Sequence, residues 1–307
     1  MKHPPQTKSL NRRAFLKYSL IMFASLGLAS CYPRPRGKGS IDSERKFLLL
    51  SDVHVGKTDI SVRQANAQAA VMLRFVFRNL PNRSFDHLYD LGDITAGIAS
   101  EEESLQNLQT YLGILQTLNI PATPLYGNHD IWNISSANLS KIYREMGFDD
   151  RVYGVDEYSS FQIVRLDLIA DPGVNGRLPE ARLEWLRQVI HPDTPTIILS
   201  HEGLVEQDVA TNFYFKSNPA ASMLTDGPQV WKAISDLPII AIISGHLHQP
   251  AYRLKNGKTH MITVPSFTER IPPNKHSPAV YSVLYVNGSS LTLRSFSGAR
   301  CIFKVEV

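Results

Sequence analysis

Five short apolar runs, each followed at once by polar residues, most constrain what this 307-residue chain can fold into. A run of this kind between turn residues is typical of a strand buried on both faces of a sheet. Segments with helical spacing alternate with the runs, which predicts a mainly parallel α/β architecture. The predicted strands are 47–50, 87–91, 122–126, 196–199 and 239–243, with a sixth at 161–169, and the predicted helices are 61–80, 101–118, 136–146 and 179–189.

The C-terminal part of the sequence follows a different pattern. Its β-rich segments 259–264, 279–286, 291–296 and 301–307 are separated by turn pairs such as Asn287-Gly288. Such segments are typical of antiparallel strands, so we expect a mixed sheet or a second sheet appended to the first. The long stretches 131–160 and 204–237 are candidates for lids or binding loops, because long insertions between strands often have that function.

Asp, His and Asn side chains, which can bind a metal ion or take part in catalysis, follow the five apolar runs. Carboxyl ends of parallel strands meet at one edge of a sheet, where ligands bind in α/β proteins. Side chains two residues apart in extended backbone share a face, which pairs the members of Asp-x-His and His-x-His. The sequence therefore predicts one shared site. Its candidate residues are Asp52 and His54, then Asp93, then Asn128, His129 and Asp130, then His201, and finally His246 and His248.

This set of residues offers nitrogen and oxygen ligands and no thiolate. Such donors suit zinc, manganese, iron or nickel better than copper(I) or an iron–sulfur cluster. Six or seven ligands exceed what one tetrahedral ion needs, and they suit two ions that share a bridging carboxylate. Two ions about 3.5–4 Å apart stabilise the attacking and leaving oxygens of a displacement at phosphorus. Each short motif is weak alone, and only their ordered combination is specific.

The ordered motifs Asp-x-His, Gly-Asp, Gly-Asn-His-Asp, His and Gly-His-x-His resemble those of the calcineurin-like metallophosphoesterase superfamily. The resemblance covers about 46–265 and implies a four-layer α/β/β/α sandwich with mixed sheets. It implies two divalent or trivalent metal ions (Mn, Fe or Zn) and attack on phosphorus by a hydroxide that bridges them. It assigns Asp52, His54 and His248 to the first ion, Asn128, His201 and His246 to the second, and Asp93 to both.

The resemblance also gives roles to two residues that bind no metal. His129 matches the non-ligand histidine that stabilises the transition state or protonates the leaving oxygen, and Asp130 would orient its imidazole.

Differences from the motifs of known subfamilies indicate which branch of the superfamily this sequence resembles. The segment after Asp93 lacks the Asp-Arg-Gly run of the protein phosphatases and the tyrosine of the purple acid phosphatases. The motif spacing looks most like the bacterial cyclic-nucleotide phosphodiesterase-like branch, so phosphodiester hydrolysis is favoured. The alternatives are a phosphomonoesterase or nucleotidase with the same site, and an exported metal-binding protein without activity. The motifs of serine hydrolases and P-loop nucleotidases are absent from the sequence.

The N-terminal residues 1–30 have the layout of a secretory signal, with Arg12 and Arg13 before an apolar run that ends at Leu28. The arginine pair resembles the twin-arginine export motif. The run is too short for the roughly 20 residues of a membrane-spanning helix. Residues Leu28–Cys31 resemble a lipoprotein cleavage box, which would leave Cys31 lipidated, although an ordinary cleavage site near Cys31 is the alternative. The sequence thus predicts an exported, periplasmic or lipid-anchored protein with a tether at 31–45 and one domain at 46–307.

The distribution of charge limits the classes of substrate that we expect, and the cysteine content limits the possible disulfides. The leader holds five of the 32 Lys and Arg and no acid, so the remaining chain has 27 basic and 28 acidic residues. We therefore expect a small-molecule or cell-envelope phosphoester as substrate and no nucleic-acid binding. The two cysteines, Cys31 and Cys301, exclude a disulfide framework, and a bridge between them requires that Cys31 is not lipidated.

The candidates for substrate contact, or alternatively for the core, are Trp132, Phe213, Tyr214, Phe215 and Trp231, with Arg270 and Lys275 as candidate phosphate contacts or solvated charges.

Overall fold

Four of the five apolar runs form inner strands of two sheets in the structure, which is a computed structural model, and the run at 122–126 forms an edge strand. It describes residues 43–307 except 60, 62, 81–83, 151–152, 168–175 and 271–277. The predicted signal, Cys31 and most of the predicted tether lie outside the described residues. No helix in the described ranges combines the length and the apolar character that crossing a membrane requires.

The first six-stranded sheet has the order β12-β11-β10-β1-β2-β3. β1 pairs with β2 in parallel and with β10 in antiparallel orientation, so this sheet is mixed. The last three strands add to it as antiparallel hairpins, which confirms the prediction for 279–286, 291–296 and 301–307. The segment 259–264 instead belongs to the second sheet, where one of its two neighbours is parallel to it. Its strands are β1 (Arg45–Leu50), β2 (His87–Asp90), β3 (Ala122–Pro124), β10 (Val280–Asn287), β11 (Ser290–Ser297) and β12 (Arg300–Glu306).

The second six-stranded sheet has the order β4-β5-β6-β7-β9-β8. Its four inner strands are parallel neighbours, and the edge strands β4 and β8 pair in antiparallel orientation. Its strands are β4 (Gly154–Glu157), β5 (Gln162–Arg165), β6 (Thr196–Leu199), β7 (Ile239–Ser244), β8 (Ala251–Lys255) and β9 (Thr259–Thr263). The sequence analysis missed β4 and β8, because edge strands bury little of their surface and lack a continuous apolar run.

The two sheets pack face to face with helices outside them. Alternate residues of one strand point to opposite faces: Ile197 of β6 lies in the large core with Leu48 of β1, whereas its neighbour Ile198 lies in a second core with Trp231. The large core also contains α1, α2 and α4, and the second core contains α5 and α6. This confirms the predicted four-layer α/β/β/α sandwich with mixed sheets. The helices are α1 (Ala69–Asn79), α2 (Glu101–Leu115), α3 (Asn128–Asn133), α4 (Ser136–Glu145), α5 (Glu180–Val189) and α6 (Gly227–Ile234).

Two segments differ from the sequence prediction. The helix predicted at 61–80 begins at Ala69, after a short 3-10 turn at Asn66–Gln68. The preceding residues are instead held by long-range pairing, since Gln64 forms a bridge with Glu269 and Ala65 N donates to Thr268 O at 3.1 Å. The segment 204–237, expected to be irregular, ends in helix α6.

Candidate metal centre

Every predicted ligand lies just beyond the carboxyl end of a strand, and the structure brings them together. Asp93 belongs to two groups of residues, and within each group the donor atoms all lie within 4.8 Å of one another. The first group is Asp52, His54, Asp93 and His248, and the second is Asp93, His201 and His246. Asn128 joins the second group, with Oδ1 at 3.0 Å from His201 Nε2 and 3.1 Å from His246 Nδ1. The geometry thus places Asp93 between two donor sets, as the bridging prediction requires.

The backbone at these residues is in a conformation that side-chain-bearing residues rarely adopt. Five of the predicted ligands have φ in the left-handed region: Asp52 (51°), His54 (48°), Asp93 (56°), His246 (66°) and His248 (60°). Such strain is typical of functional sites and persists only where surrounding contacts enforce it. Two of those contacts are Asp52 N to Gly92 O and His54 N to Asp93 O, both at 2.9 Å.

Glycines leave room for the carboxylates. A Cβ at Gly127 would lie 2.1 Å from Asp93 Oδ1, and a Cβ at Gly245 would lie 2.7 Å from Asp52 Oδ2. Both distances are far below van der Waals contact, so any larger residue would displace a predicted ligand. The glycine of Gly-Asn-His-Asp is therefore required by the close approach of the Asp93 carboxylate, and that of Gly-His-x-His by the close approach of Ser51 Oγ (1.8 Å from such a Cβ) and the Asp52 carboxylate.

The ligand histidines are oriented by acceptors on their far side. A carbonyl oxygen can only accept, so the ring nitrogen that faces it carries the hydrogen. The opposite nitrogen of the neutral ring then presents its lone pair to the cluster. The carbonyl contacts are His54 Nδ1 with Thr95 O at 3.3 Å, His201 Nδ1 with Leu91 O at 3.0 Å and His246 Nε2 with Ala221 O at 2.9 Å.

The cluster brings acceptors against acceptors, which is the arrangement that a cation stabilises. When both rings are neutral, in the tautomers that their carbonyl contacts set, Asn128 Oδ1 faces the lone pairs of His201 Nε2 and His246 Nδ1 at hydrogen-bond distance. His54 Nε2 lies 3.2 Å from His248 Nε2. The carboxylates of Asp52 and Asp93 add two buried negative charges. Imidazole, carboxylate and amide donors suit divalent ions such as zinc, manganese or iron, so the residues present fit a metal site.

Electrostatics keep most of these groups in their metal-binding form. Burial raises the pKa of Asp52, but the neighbouring His248 outweighs this and lowers it to about 2. Burial lowers the pKa of His54 to about 3 and of His246 to about 4. Burial also opposes charge on His201, yet the Asp93 carboxylate raises its pKa to about 10. His201 would thus carry a proton in the metal-free site, and a metal ion would displace that proton on binding.

His129 lies beside the cluster and is partly exposed. Its main-chain N donates to Asp93 Oδ1 at 2.8 Å, its Nδ1 faces Ala96 O at 2.8 Å, and its Nε2 is 4.0 Å from Asp93 Oδ2. Its ring packs on Trp132 with centroids 4.5 Å apart. The Nε2 atom is therefore the polar atom that His129 can offer to a substrate beside the metal donors.

Asp130 was expected to orient the His129 imidazole, but in the structure its carboxylate binds main-chain N–H groups instead. Its carboxylate accepts from the main-chain N of Ile94 (3.1 Å), Thr95 (2.8 Å) and Gly127 (2.9 Å). The His129 ring is instead held by the Ala96 carbonyl. The reason is local: Asp130 is the third residue of helix α3, and its side chain turns back to the loop that carries Asp93. Asp130 therefore positions the Asp93 and Asn128 loops relative to each other.

The predicted substrate contacts divide into site and core residues. Trp132, Tyr214 and Phe215 lie against His129, His248 and His246 respectively. Phe213 is largely exposed, whereas Trp231 is buried in the second core and fulfils the core alternative. Arg270 pairs with Asp59 at 3.4 Å. Lys275 lies outside the described residues.

Sequence reasoning missed two buried residues behind the cluster, Gln64 and Glu269. Gln64 Nε2 lies 3.1 Å and Glu269 Oε2 lies 3.5 Å from His248 Nδ1. Neither follows a predicted strand or belongs to a motif, so no local signal points to them. Glu202, next to His201, is also buried; it accepts from Gly176 N at 2.7 Å, and burial raises its pKa to about 7.

Asp90 provides a pH-dependent contribution to stability that a substitution can isolate. Burial raises the pKa of Asp90 to about 7, against hydrogen bonds from Tyr111 and Gly92. The unfolded chain releases this proton near its ordinary value of 3.8, so between these pH values only the folded state retains it. The free energy of unfolding therefore falls as pH rises across this window, by on the order of 2–4 kcal/mol for one such carboxyl.

Asp90→Asn removes this titration. We expect the variant to gain stability relative to the unsubstituted protein as pH rises from about 4.5 to about 8, by the amount estimated above. Urea unfolding of both metal-free proteins at the two pH values measures the difference. Identical pH dependence of the two proteins would contradict the assignment.

Comparison with known proteins agrees with this site. The family model for calcineurin-like phosphoesterase matches residues 45–250. The chain is 28% identical over 199 residues to a probable cyclic nucleotide phosphodiesterase of Synechococcus sp., an alignment that covers 62% of this chain and 68% of that protein.

Two solved structures share the fold. A dimetal phosphatase from Danio rerio has a TM-score of 0.65 and 17% identity, and the match covers 85% of this chain and 98% of that one. A purple acid phosphatase from yellow lupin (Lupinus luteus) seeds has a TM-score of 0.61 and 13% identity, with 87% and 54% covered. These likenesses show the fold alone. The family model spans more than half of the chain and includes every predicted ligand, so the chain belongs to the calcineurin-like phosphoesterase family.

Proposed function

We propose that this protein is an exported hydrolase that cleaves a phosphodiester with two metal ions held by the cluster around Asp93. The observation that carries the proposal is the shared position of Asp93, whose Oδ2 lies 3.7 Å from His54 Nε2 and 3.3 Å from His201 Nε2. One carboxylate thus reaches ligands of both donor groups, which is the arrangement that two neighbouring ions need.

The proposal assigns one ion to Asp52, His54 and His248 and the other to Asn128, His201 and His246, with Asp93 contacting both. When bound, the ions would neutralise charge on the phosphoryl oxygens and lower the pKa of a coordinated water. The protein supplies orientation, because the carbonyl contacts fix the ligand rings before the metal arrives.

His129 has the proton-transfer role in this proposal. Its Nδ1–H donates to the Ala96 carbonyl, which leaves Nε2 to hold a proton for the leaving oxygen. Because His129 lies outside both donor groups, it can change protonation without releasing a metal ion.

Charge pairing favours a diester over a monoester. A monoester carries an extra negative charge that free cationic side chains would stabilise. Three cationic side chains near the predicted ligands and their partners are already paired with carboxylates: Lys57 with Glu103, Arg63 with Glu269 and Arg270 with Asp59. A phosphomonoesterase with the same site remains the second candidate, because the structurally similar Danio rerio and lupin proteins are both named phosphatases.

Metal analysis joined to an activity assay tests the proposal. Elemental analysis of the purified protein counts the ions per chain. The same protein, supplied with manganese, is assayed on bis-p-nitrophenyl phosphate and on p-nitrophenyl phosphate. Two ions with faster diester cleavage support the proposal, whereas a monoester preference favours the second candidate. Absence of bound metal would contradict both.

Export is part of the proposal and rests on the sequence of residues 1–31 alone. We expect replacement of Arg12 and Arg13 by lysine to retain the protein in the cytoplasm of a bacterial host, because twin-arginine export reads this pair. Cell fractionation and immunoblotting measure the distribution. Replacement of Cys31 by serine should leave export intact and release the protein from the membrane fraction. Unchanged periplasmic delivery of the lysine variant would contradict the twin-arginine assignment.

A further inference from the structure

His248 differs from the other ligand histidines in what lies behind its ring. His54, His201 and His246 each face a main-chain carbonyl oxygen. His248 Nδ1 instead faces two side chains, with Gln64 Nε2 at 3.1 Å and Glu269 Oε2 at 3.5 Å. Its orientation therefore depends on side chains that a substitution can change without touching any predicted ligand.

A metal-binding His248 needs an acceptor at this position. If Nε2 offers its lone pair to the cluster, Nδ1 carries the hydrogen and must donate it. The amide nitrogen of Gln64 cannot accept this hydrogen, whereas the Glu269 carboxylate can. Gln64 Oε1 has no hydrogen-bond partner in the described part of the chain. A rotation of this amide would place a second acceptor beside Glu269, because the two ends of an amide are interchangeable in shape.

Glu269 is rigidly placed for this purpose. Its side chain has 0% exposure, Oε1 accepts from Arg63 Nε at 2.8 Å, and Oε2 accepts from Tyr214 OH at 2.8 Å. Its main-chain N donates to Ser266 Oγ, which in turn donates to the carbonyl of Asp52 at 2.9 Å. The carboxylate is thus fixed relative to the loop that carries two other predicted ligands.

The same carboxylate contacts the aromatic segment Phe213–Phe215. The Tyr214 ring lies 4.8 Å from the His248 ring, and Arg63 lies over the Phe213 ring at 4.7 Å. Asn212 Oδ1 accepts from the main-chain N of Tyr214 at 2.9 Å. The buried Glu269 carboxylate therefore contacts both the Nδ1 side of the predicted ligand His248 and Tyr214 in the segment that borders the site.

We propose that Glu269 is a positioning residue that orients His248 for its metal ion and couples the binding of that ion to the order of Phe213–Phe215. The proposal deepens the proposed function, because it rests on a two-ion site. A carboxylate behind a ligand histidine raises the basicity of the ring and fixes its tautomer, and loss of such partners weakens metal binding by about 10–100-fold.

Glu269→Gln tests the proposal with Mn²⁺ alone as the probe. The substitution keeps the size of the side chain and removes its charge. We expect calorimetric titration of the metal-free protein to show one of two Mn²⁺ sites weakened by about 10–100-fold, with the other site unchanged. Because no substrate is used, the outcome does not depend on whether the enzyme prefers diesters.

Asp156→Asn is the matched control. Asp156 also accepts from a tyrosine, Tyr89 OH at 2.8 Å, and pairs with an arginine, Arg165 Nε at 2.9 Å. It belongs to neither donor group. The control loses one negative charge that is likewise paired with a tyrosine and an arginine, at a side chain that is 28% exposed where Glu269 is 0% exposed. We expect it to lower stability and to leave both Mn²⁺ affinities unchanged. Equal weakening in the control and in Glu269→Gln would overturn the proposal.

Hydrogen exchange measures the coupling to the aromatic segment. We expect Mn²⁺ to slow amide exchange of a peptide covering 210–217 in the unsubstituted protein, and this effect to be lost in Glu269→Gln and in Tyr214→Phe. A Mn²⁺ effect retained in both variants would overturn the coupling.

If Glu269→Gln does not fold, Glu269→Asp replaces it in the Mn²⁺ titration, since its shorter side chain keeps the charge and withdraws it from His248. Two unaffected Mn²⁺ sites in that variant would overturn the positioning role. A failure of the unsubstituted protein to bind two ions would count against the proposed function itself.

Discussion

Asp93→Ala is expected to abolish binding of both metal ions, or at least their binding as a pair. Asp93 Oδ2 lies 3.3 Å from His201 Nε2 and 3.7 Å from His54 Nε2, so this one carboxylate faces both donor groups. It is also one of the two carboxylates that balance the positive charge of the ions. We expect turnover to fall by more than the roughly 10²–10³-fold that loss of a single electrostatic donor costs.

Elemental analysis after dialysis, followed by assay of the same sample, measures both expectations. Asp90→Asn is the matched control, because Asp90 is a buried carboxyl three residues earlier that belongs to neither donor group. The control should retain two ions per chain. An Asp93→Ala protein that binds two ions as tightly as the unsubstituted protein would contradict the bridging assignment, whatever its activity.

The sequence predicts the location of this site well because the relevant signals are local. A buried strand needs an apolar run, and a loop that carries a ligand at its carboxyl end needs polar and glycine residues next to that run. Asp52, His54, His246 and His248 follow β1 and β7 directly. Their convergence follows from the parallel pairing of strands within each sheet, together with the packing of the two sheets on one shared core.

Long-range contacts explain what the sequence does not reveal. The start of α1 moves to Ala69 because the preceding segment pairs with Glu269, about two hundred residues later in the chain. The contacts of Gln64 and Glu269 with His248 arise from the same pairing, and no spacing rule connects three such distant positions. The contacts of Asp130 differ from the prediction for a related reason. Its identity follows from the Gly-Asn-His-Asp motif, but the direction of its side chain depends on the loop after β2.

His129→Ala should separate metal binding from catalysis. His129 contributes no atom to either donor group, and its contact with Asp93 Oδ1 is made by the main-chain N, which alanine retains. We therefore expect the variant to hold as many ions as the unsubstituted protein. Turnover should fall by about 10²–10⁴-fold, the usual contribution of a positioned proton donor.

The leaving group distinguishes proton donation from other roles of His129. Departure of p-nitrophenolate needs little protonation, whereas departure of an alkoxide depends on it, so the loss in His129→Ala should be larger for an alkyl phosphodiester than for bis-p-nitrophenyl phosphate. Steady-state rates on both substrates, with metal content measured in the same samples, give the comparison. An equal loss on both would favour a role in stabilising charge on the phosphoryl oxygens, because that charge forms whichever group leaves. Retained turnover would remove His129 from the chemistry and leave its Nε2, 4.0 Å from Asp93 Oδ2, as a structural contact of the metal loop.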